Sequence, residues 1–195
     1  MYKINEIFYS IQGEGYNAGC AAVFVRFSGC NLQCPFCDTQ HTKGTFMTVD
    51  EICKEISQYP ATLVVLTGGE PSLFVDEQLC NAIHSLGKRI AMETNGTRPI
   101  TVSIDHITCS PKFEYCPDAE AHLCIDRIDE LKVIFTGNND MSLYENIKAS
   151  HYYLQPCDTG DAERNKNIVQ KTLDYILQYP KWVLSMQLHK ILDVR

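Results

Sequence analysis

Three thiols, Cys30, Cys34 and Cys37, stand at Cys-x3-Cys-x2-Cys spacing within Cys30-Asn31-Leu32-Gln33-Cys34-Pro35-Phe36-Cys37-Asp38-Thr39. Three thiolates can bind three irons of a four-iron, four-sulfur cluster and leave the fourth iron open to an outside ligand. The same three with His41 could instead close a Cys3His zinc site. A second stretch, Leu63-Val64-Val65-Leu66-Thr67-Gly68-Gly69-Glu70-Pro71, is a short β-branched run that ends in two glycines and a carboxylate. It offers bare backbone and one negative charge at a strand end, which suits a ligand carrying an ammonium group. Taken alone, the Gly-Gly reads as a tight turn.

The elements that must hold these groups are legible as alternating strands and helices. Ile4–Gly15 should face Ala21–Phe27 across a turn at 16–20, and Arg26, in a strongly apolar strand, needs a carboxylate or other acceptor. Thr48 and Glu51 form a capping box for a helix carrying Val49, Ile52, Cys53 and Ile56 and stopped by Pro60. Strand 63–66 follows, then a helix with Leu79, Cys80, Ile83 and Leu86 capped by Gly87. Strands at 90–93, 107–109 and 131–135 run into polar or glycine residues, the pattern of a parallel α/β sheet whose functional groups gather at the strands' C-terminal rim. A capping box from Ser142 to Glu145 predicts a further helix. His151–Leu154 predicts a strand, Asp161 a cap for a helix carrying Ile168, Leu173, Ile176 and Leu177, and Trp182–Met186 a last strand. Residues 94–106 and 110–117 show no helical face, and a complete eight-fold barrel takes about 250 residues. The expectation is α/β: one domain over 1–195, a partial, open barrel of about six parallel strands with few helices.

Of the residues, 45% are hydrophobic and 21% charged, an ordinary globular composition. A net charge of -7 disfavours wrapping a nucleic acid. No apolar leader or membrane-length run occurs, so the chain is expected in the cytoplasm, and ten cysteines there argue for metal or redox chemistry over disulfides. Cys109, Cys116, Cys124 and Cys157 are too irregularly spaced for a second cluster and are expected as core or loop thiols.

The cysteine loop followed by Gly-Gly-Glu-Pro resembles the radical S-adenosylmethionine superfamily. Within it the chain resembles the 7-carboxy-7-deazaguanine synthase family of queuosine and deazaguanine biosynthesis. The resemblance runs nearly end to end, over Glu6-x-Phe8-x-Ser10-x-Gln12-Gly13-Glu14-Gly15, Ser28-Gly29-Cys30, Cys37-Asp38-Thr39, Thr67-Gly68-Gly69-Glu70-Pro71, Glu93-Thr94-Asn95-Gly96, Ser110-Pro111-Lys112, Gln155-Pro156 and Leu184-Ser185-Met186-Gln187-Leu188-His189-Lys190.

The resemblance implies that Cys30, Cys34 and Cys37 carry the four-iron cluster and that Thr39 ligates Mg2+. It implies that Phe36, Cys37, Asp38, Gly68, Gly69, Glu70, Gly96, Ser110, Pro111, Lys112, Gln155 and Asp158 line the S-adenosylmethionine site. Gln12, Gly13 and Glu14 would hold the aminopyrimidinone edge of a small pterin, 6-carboxy-5,6,7,8-tetrahydropterin, Arg26 its carboxylate, and Thr94 would touch it. The implied activity is a radical ring contraction with loss of ammonia, a carbon–nitrogen lyase reaction fed by a flavodoxin- or ferredoxin-type donor in a homodimer. Two rivals share features of the sequence: an activase that installs a glycyl radical, and a non-catalytic zinc module built on Cys30, Cys34, Cys37 and His41.

Overall fold

The computed structural model describes residues 1–37, 39–116 and 122–194. A nine-stranded sheet runs in the order β3-β1-β2-β4-β5-β6-β7-β8-β9. β1 (Tyr2–Ile11) and β2 (Ala21–Phe27) form the expected antiparallel hairpin, with Val25 opposite Ile7. β3 (Thr45–Met47) adds to the outer edge of β1; three residues are too few to leave a strand period in the sequence.

From β2 onward every pairing is parallel: β4 (Leu63–Gly68), β5 (Arg89–Thr94), β6 (His106–Cys109), β7 (Glu130–Phe135), β8 (His151–Pro156) and β9 (Val183–Leu184). The order is linear, with β3 and β9 at its edges, so the barrel stays open. Helix α1 (Val49–Ser57) starts at the Thr48–Glu51 capping box and α2 (Glu77–Ser85) at Asp76. Among the described residues no helix joins β5 to β6 or β6 to β7.

Alternation along the strands sorts their side chains between two layers. Val64, Leu66, Ile90 and Met92 face α1 and α2, in one core with Ile52, Ile56, Leu79, Cys80 and Ile83. Leu131, Val133 and Leu154 pack with Tyr144 and Trp182 beneath α3 (Ala162–Gln178). On the concave face, Ala22, Leu63, Val65 and Ala91 make a small apolar cluster with Phe24. Further round, that face carries Glu93, Thr108, Glu130, Lys132 and Gln155 instead, all but Glu93 fully buried.

Three sequence expectations are corrected. The helix predicted from Ser142–Glu145 is a single 3-10 turn, Met141–Tyr144, because Asp140, and not Ser142, caps it. The last strand shrinks from 182–186 to β9: Trp182 turns into the core against Tyr152, and Ser185 bonds the Gln155 side chain. In α3, capped by Asp161 as expected, Ile168 and Thr172 are buried, whereas Leu177 is 82% exposed, so the buried stripe is narrower than its leucines suggested.

Candidate active site

The C-terminal ends of the strands surround a cavity of about 1080 Å³. The loop after β2 supplies one wall with Cys30, Cys34, Phe36, Cys37 and Thr39. Asparagines hold this loop: Asn31 donates to Thr97 Oγ1 at 2.8 Å and accepts from Asn95 Nδ2 at 3.1 Å. Phe36 meets Tyr115 edge to face at 4.6 Å. Asp38 lies outside the described residues.

Gly68 and Gly69 do more than approach a ligand. Gly68 sits at φ +128, and a Cβ on Gly69 would stand 1.9 Å from the carbonyl oxygen of Gly29. The end of β4 thus lies directly against the start of the thiol loop, an approach only glycine allows. Glu70 lines the cavity, yet its carboxylate already accepts from Ser72 N, Thr94 Oγ1 and Asn95 N, at 3.0, 2.7 and 2.7 Å. Its charge ties β4 to β5 before any ligand arrives. Thr94 donates to Glu70 and still lines the cavity.

The donor set fits the cluster the spacing suggested. None of the three cysteines is in a disulfide, all line one wall, and Leu32 N donates to Cys30 Sγ at 3.4 Å, the kind of contact that supports a bound thiolate. Burial pushes the Cys30 thiol up; it also pushes Cys34 up to about 12, against the pull of Lys112 and with the help of Cys116, so loading iron would displace protons. Among the described residues no three His, Cys, Asp or Glu side chains converge on a single-ion site. Cys109, Cys116 and Cys157 are buried and Cys124 half-buried, as core or loop thiols; Cys116 Sγ lies 3.9 Å from Cys34 Sγ.

Gln12, Gly13, Glu14 and Arg26 line the same cavity. Arg26 Nε bonds Glu6 at 2.8 Å and Nη1 reaches Thr39 Oγ1 at 3.4 Å, which answers the need for an acceptor in that strand. Glu14 is paired with Lys132 Nζ at 2.5 Å and accepts from Gln187 Nε2 at 3.0 Å; Lys132 reaches Glu93 at 2.8 Å, and Glu93 accepts from Gln12. Burial alone would push Glu14 up, but the ammonium of Lys132 and its hydrogen bond hold it down at about 2. Glu93 goes up through burial and the neighbouring carboxylates, against Lys132.

Ser110, Lys112, Gln155 and Asp158 complete the rim. Lys112 donates to Ser110 Oγ at 2.7 Å, and its burial pushes it below the ordinary lysine range. Asp158 pairs with Lys190 at 2.6 Å. Gly96 and Pro111, expected at the cofactor, do not line the cavity: Gly96, at φ +78, turns the chain against Leu123 and Cys109 behind the wall. Sequence reasoning passed over Glu93, Lys132, Gln187 and His189 as site residues, although all line the cavity. The rule that singled out Arg26, a charge inside an apolar strand, applies equally to Lys132. His189 is brought in by helix α4 (Leu188–Leu192), whose Leu188 N bonds Gly13 O at 3.1 Å; a Cβ on Gly13 would stand 2.6 Å from His189 Nδ1.

Comparison with known proteins gives concordant matches. Residues 24–107 match the model of the Radical SAM superfamily. The chain is 53% identical over 195 residues to a 7-carboxy-7-deazaguanine synthase of Bacteroides thetaiotaomicron, covering all of both chains. It is 38% identical to one of Burkholderia multivorans, over 99% of each. Among solved structures it is similar to QueE from Escherichia coli, with a TM-score of 0.78 at 26% identity over 95% of this chain and 93% of that one.

Proposed function

This chain belongs to the 7-carboxy-7-deazaguanine synthase family of the radical S-adenosylmethionine superfamily, and from that premise we propose how its residues share the work. The reaction is the ring contraction of 6-carboxy-5,6,7,8-tetrahydropterin to 7-carboxy-7-deazaguanine with loss of ammonia, a carbon–nitrogen lyase reaction. When bound, the four-iron cluster and adenosylmethionine supply the one-electron cleavage and the hydrogen abstraction at C6 that open it. The observation that carries this reading is one cavity of about 1080 Å³ lined both by the three thiols and by Gln12, Gly13, Glu14 and Arg26. Pockets for small ligands commonly span roughly 300–1,000 Å³, and this cavity stands at the upper end of that range.

Cys30, Cys34 and Cys37 hold the cluster. Gly68, Gly69, Glu70, Ser110, Lys112 and Gln155 shape the adenosylmethionine side with Phe36 and Asp158. Gln12, Gly13 and Glu14 receive the donor edge of the pterin. Arg26, with Nε taken by Glu6, offers its terminal nitrogens to the substrate carboxylate. Thr94, bonded to Glu70 at the cavity, would touch the pterin. Thr39, within reach of Arg26, would supply a hard oxygen to Mg2+. The chain works as one domain in a cytoplasmic homodimer supplied by a flavodoxin- or ferredoxin-type donor. Among the described residues no helix is long and apolar enough to cross a membrane.

Incubation of oxygen-protected, iron-loaded protein with the tetrahydropterin, adenosylmethionine and a strong reductant should yield the deazapurine by mass analysis. If no deoxyadenosine forms, the reading fails. Thr39→Ala should lower turnover about tenfold or more at normal iron content and change the magnesium response; an unchanged response removes Thr39 from the site.

A further inference from the structure

Three carboxylates from three elements converge on the polar half of the concave face: Glu14 after β1, Glu93 on β5 and Glu130 on β7. Glu130 is 2% exposed; its Oε2 accepts from Tyr16 N, His106 Nε2 and Thr108 Oγ1, while its Oε1 has no partner among the described residues. The ammonium in their midst is Lys132, itself 4% exposed. It reaches two of the three, Glu14 at 2.5 Å and Glu93 at 2.8 Å. A buried acid cluster with one cation carries surplus negative charge, and burial then favours putting a proton on a carboxylate unless the cation prevents it.

We propose that Lys132 is a positioning residue for substrate recognition: it keeps Glu14 a charged acceptor, fixed in orientation, for the donor-rich edge of the pterin. This rests on the functional reading above, which places that edge at Glu14. Of the groups facing Glu14, Lys132 on β7 is the cation in contact; Gln187 donates to its other oxygen, His189 on α4 lies near, and Glu93 and Glu130 stand behind Lys132. Burial opposes Lys132's own charge, but Glu14 and Glu93 override this and raise it, so the ammonium persists through the neutral range. A neutral residue at 132 would leave Glu14 with burial and two like charges nearby, moving its titration toward neutral pH. Below that point Glu14 becomes a donor itself and faces the donors of the ligand.

The test uses iron-loaded protein with adenosylmethionine and 6-carboxypterin, a redox-stable probe with the same aminopyrimidinone edge and carboxylate, titrated by fluorescence from about pH 5.5 to 8.5. The wild type should bind with little pH dependence arising from Glu14. Lys132→Met should bind about 30-fold more weakly at the acid end and recover to within about threefold at the alkaline end. Lys132→Arg, which keeps the charge, should follow the wild type, and Glu14→Gln should lose affinity equally at every pH. Wild-type affinity in Lys132→Met throughout, or a loss of the same size at every pH, overturns the proposal. If Lys132→Met does not fold, the double variant Lys132→Met/Glu93→Gln removes one of the freed charges and is read by the same criterion. A wild-type enzyme that binds no carboxypterin overturns the functional reading instead.

Discussion

Two carboxylates line the same cavity and are held in opposite ways. Glu70, 1% exposed, is closed in by three neutral donors from its own neighbourhood. Glu14 is held by a lysine five strands away in the sheet order and by Gln187 from the last segment of the chain. Short neutral donors give a rigid brace with little charge to share. A long cationic side chain gives an acceptor whose state depends on a partner. The setting of Glu70 is therefore built as architecture, and that of Glu14 as a charged site that can answer to ligand and pH.

The sharpest way to break this contrast is Glu70→Ala. It strands the Ser72 and Asn95 amides and the Thr94 hydroxyl, and should cost about 3 kcal/mol or more in denaturant unfolding of the iron-free chain. A loss under about 1 kcal/mol would mean that the brace is not structural. Gly69→Ala should also damage the thiol wall, since its Cβ meets the Gly29 carbonyl; it should lower bound iron while β1–β2 folding persists, and normal iron content would contradict the close-approach argument.

Acid unfolding sharpens the other side. The folded value of Glu14 lies below the ordinary carboxylate range, so its stabilisation is present above about pH 4.3 and is lost as pH falls toward 2. The raised Glu93 works in the opposite sense and offsets part of it. Between about pH 4.5 and 2.5, Glu14→Gln should lose roughly 2 kcal/mol less than the wild type in parallel denaturant titrations; identical slopes would deny Glu14 its tie to Lys132. The smallest effect is expected at Asp158, whose bond to Lys190 is more than a third exposed on both sides. Asp158→Asn should change thermal stability by less than about 0.5 kcal/mol while loosening α4 in hydrogen exchange.

Much of this was legible in the sequence, for identifiable reasons. The thiol loop, Gly-Gly-Glu and the parallel strands are local patterns, and they fall where spacing put them. Glu70's second task, bracing β4 to β5, was not legible because its donors Thr94 and Asn95 are distant along the chain. Gly96 and Pro111 sit in the expected motifs but are not among the residues lining the cavity, since motif membership says nothing of which face a turn presents. Lys132 and Glu93 were hidden differently. Each needs the barrel's curvature to learn that its strand face is concave and lined with charge. Leu177 shows the limit of counting leucines on a helix, because only the sheet decides which stripe is covered.

The bond from Leu188 N to the Gly13 carbonyl joins the segment after β1 to one of the last to be made. During synthesis the thiols, the two glycines and Glu70 leave the ribosome within the first half of the chain. The surroundings of Glu14 have to wait for Gln187 and His189. The pocket is therefore closed by residues made long after those that form its sulfur-bearing part.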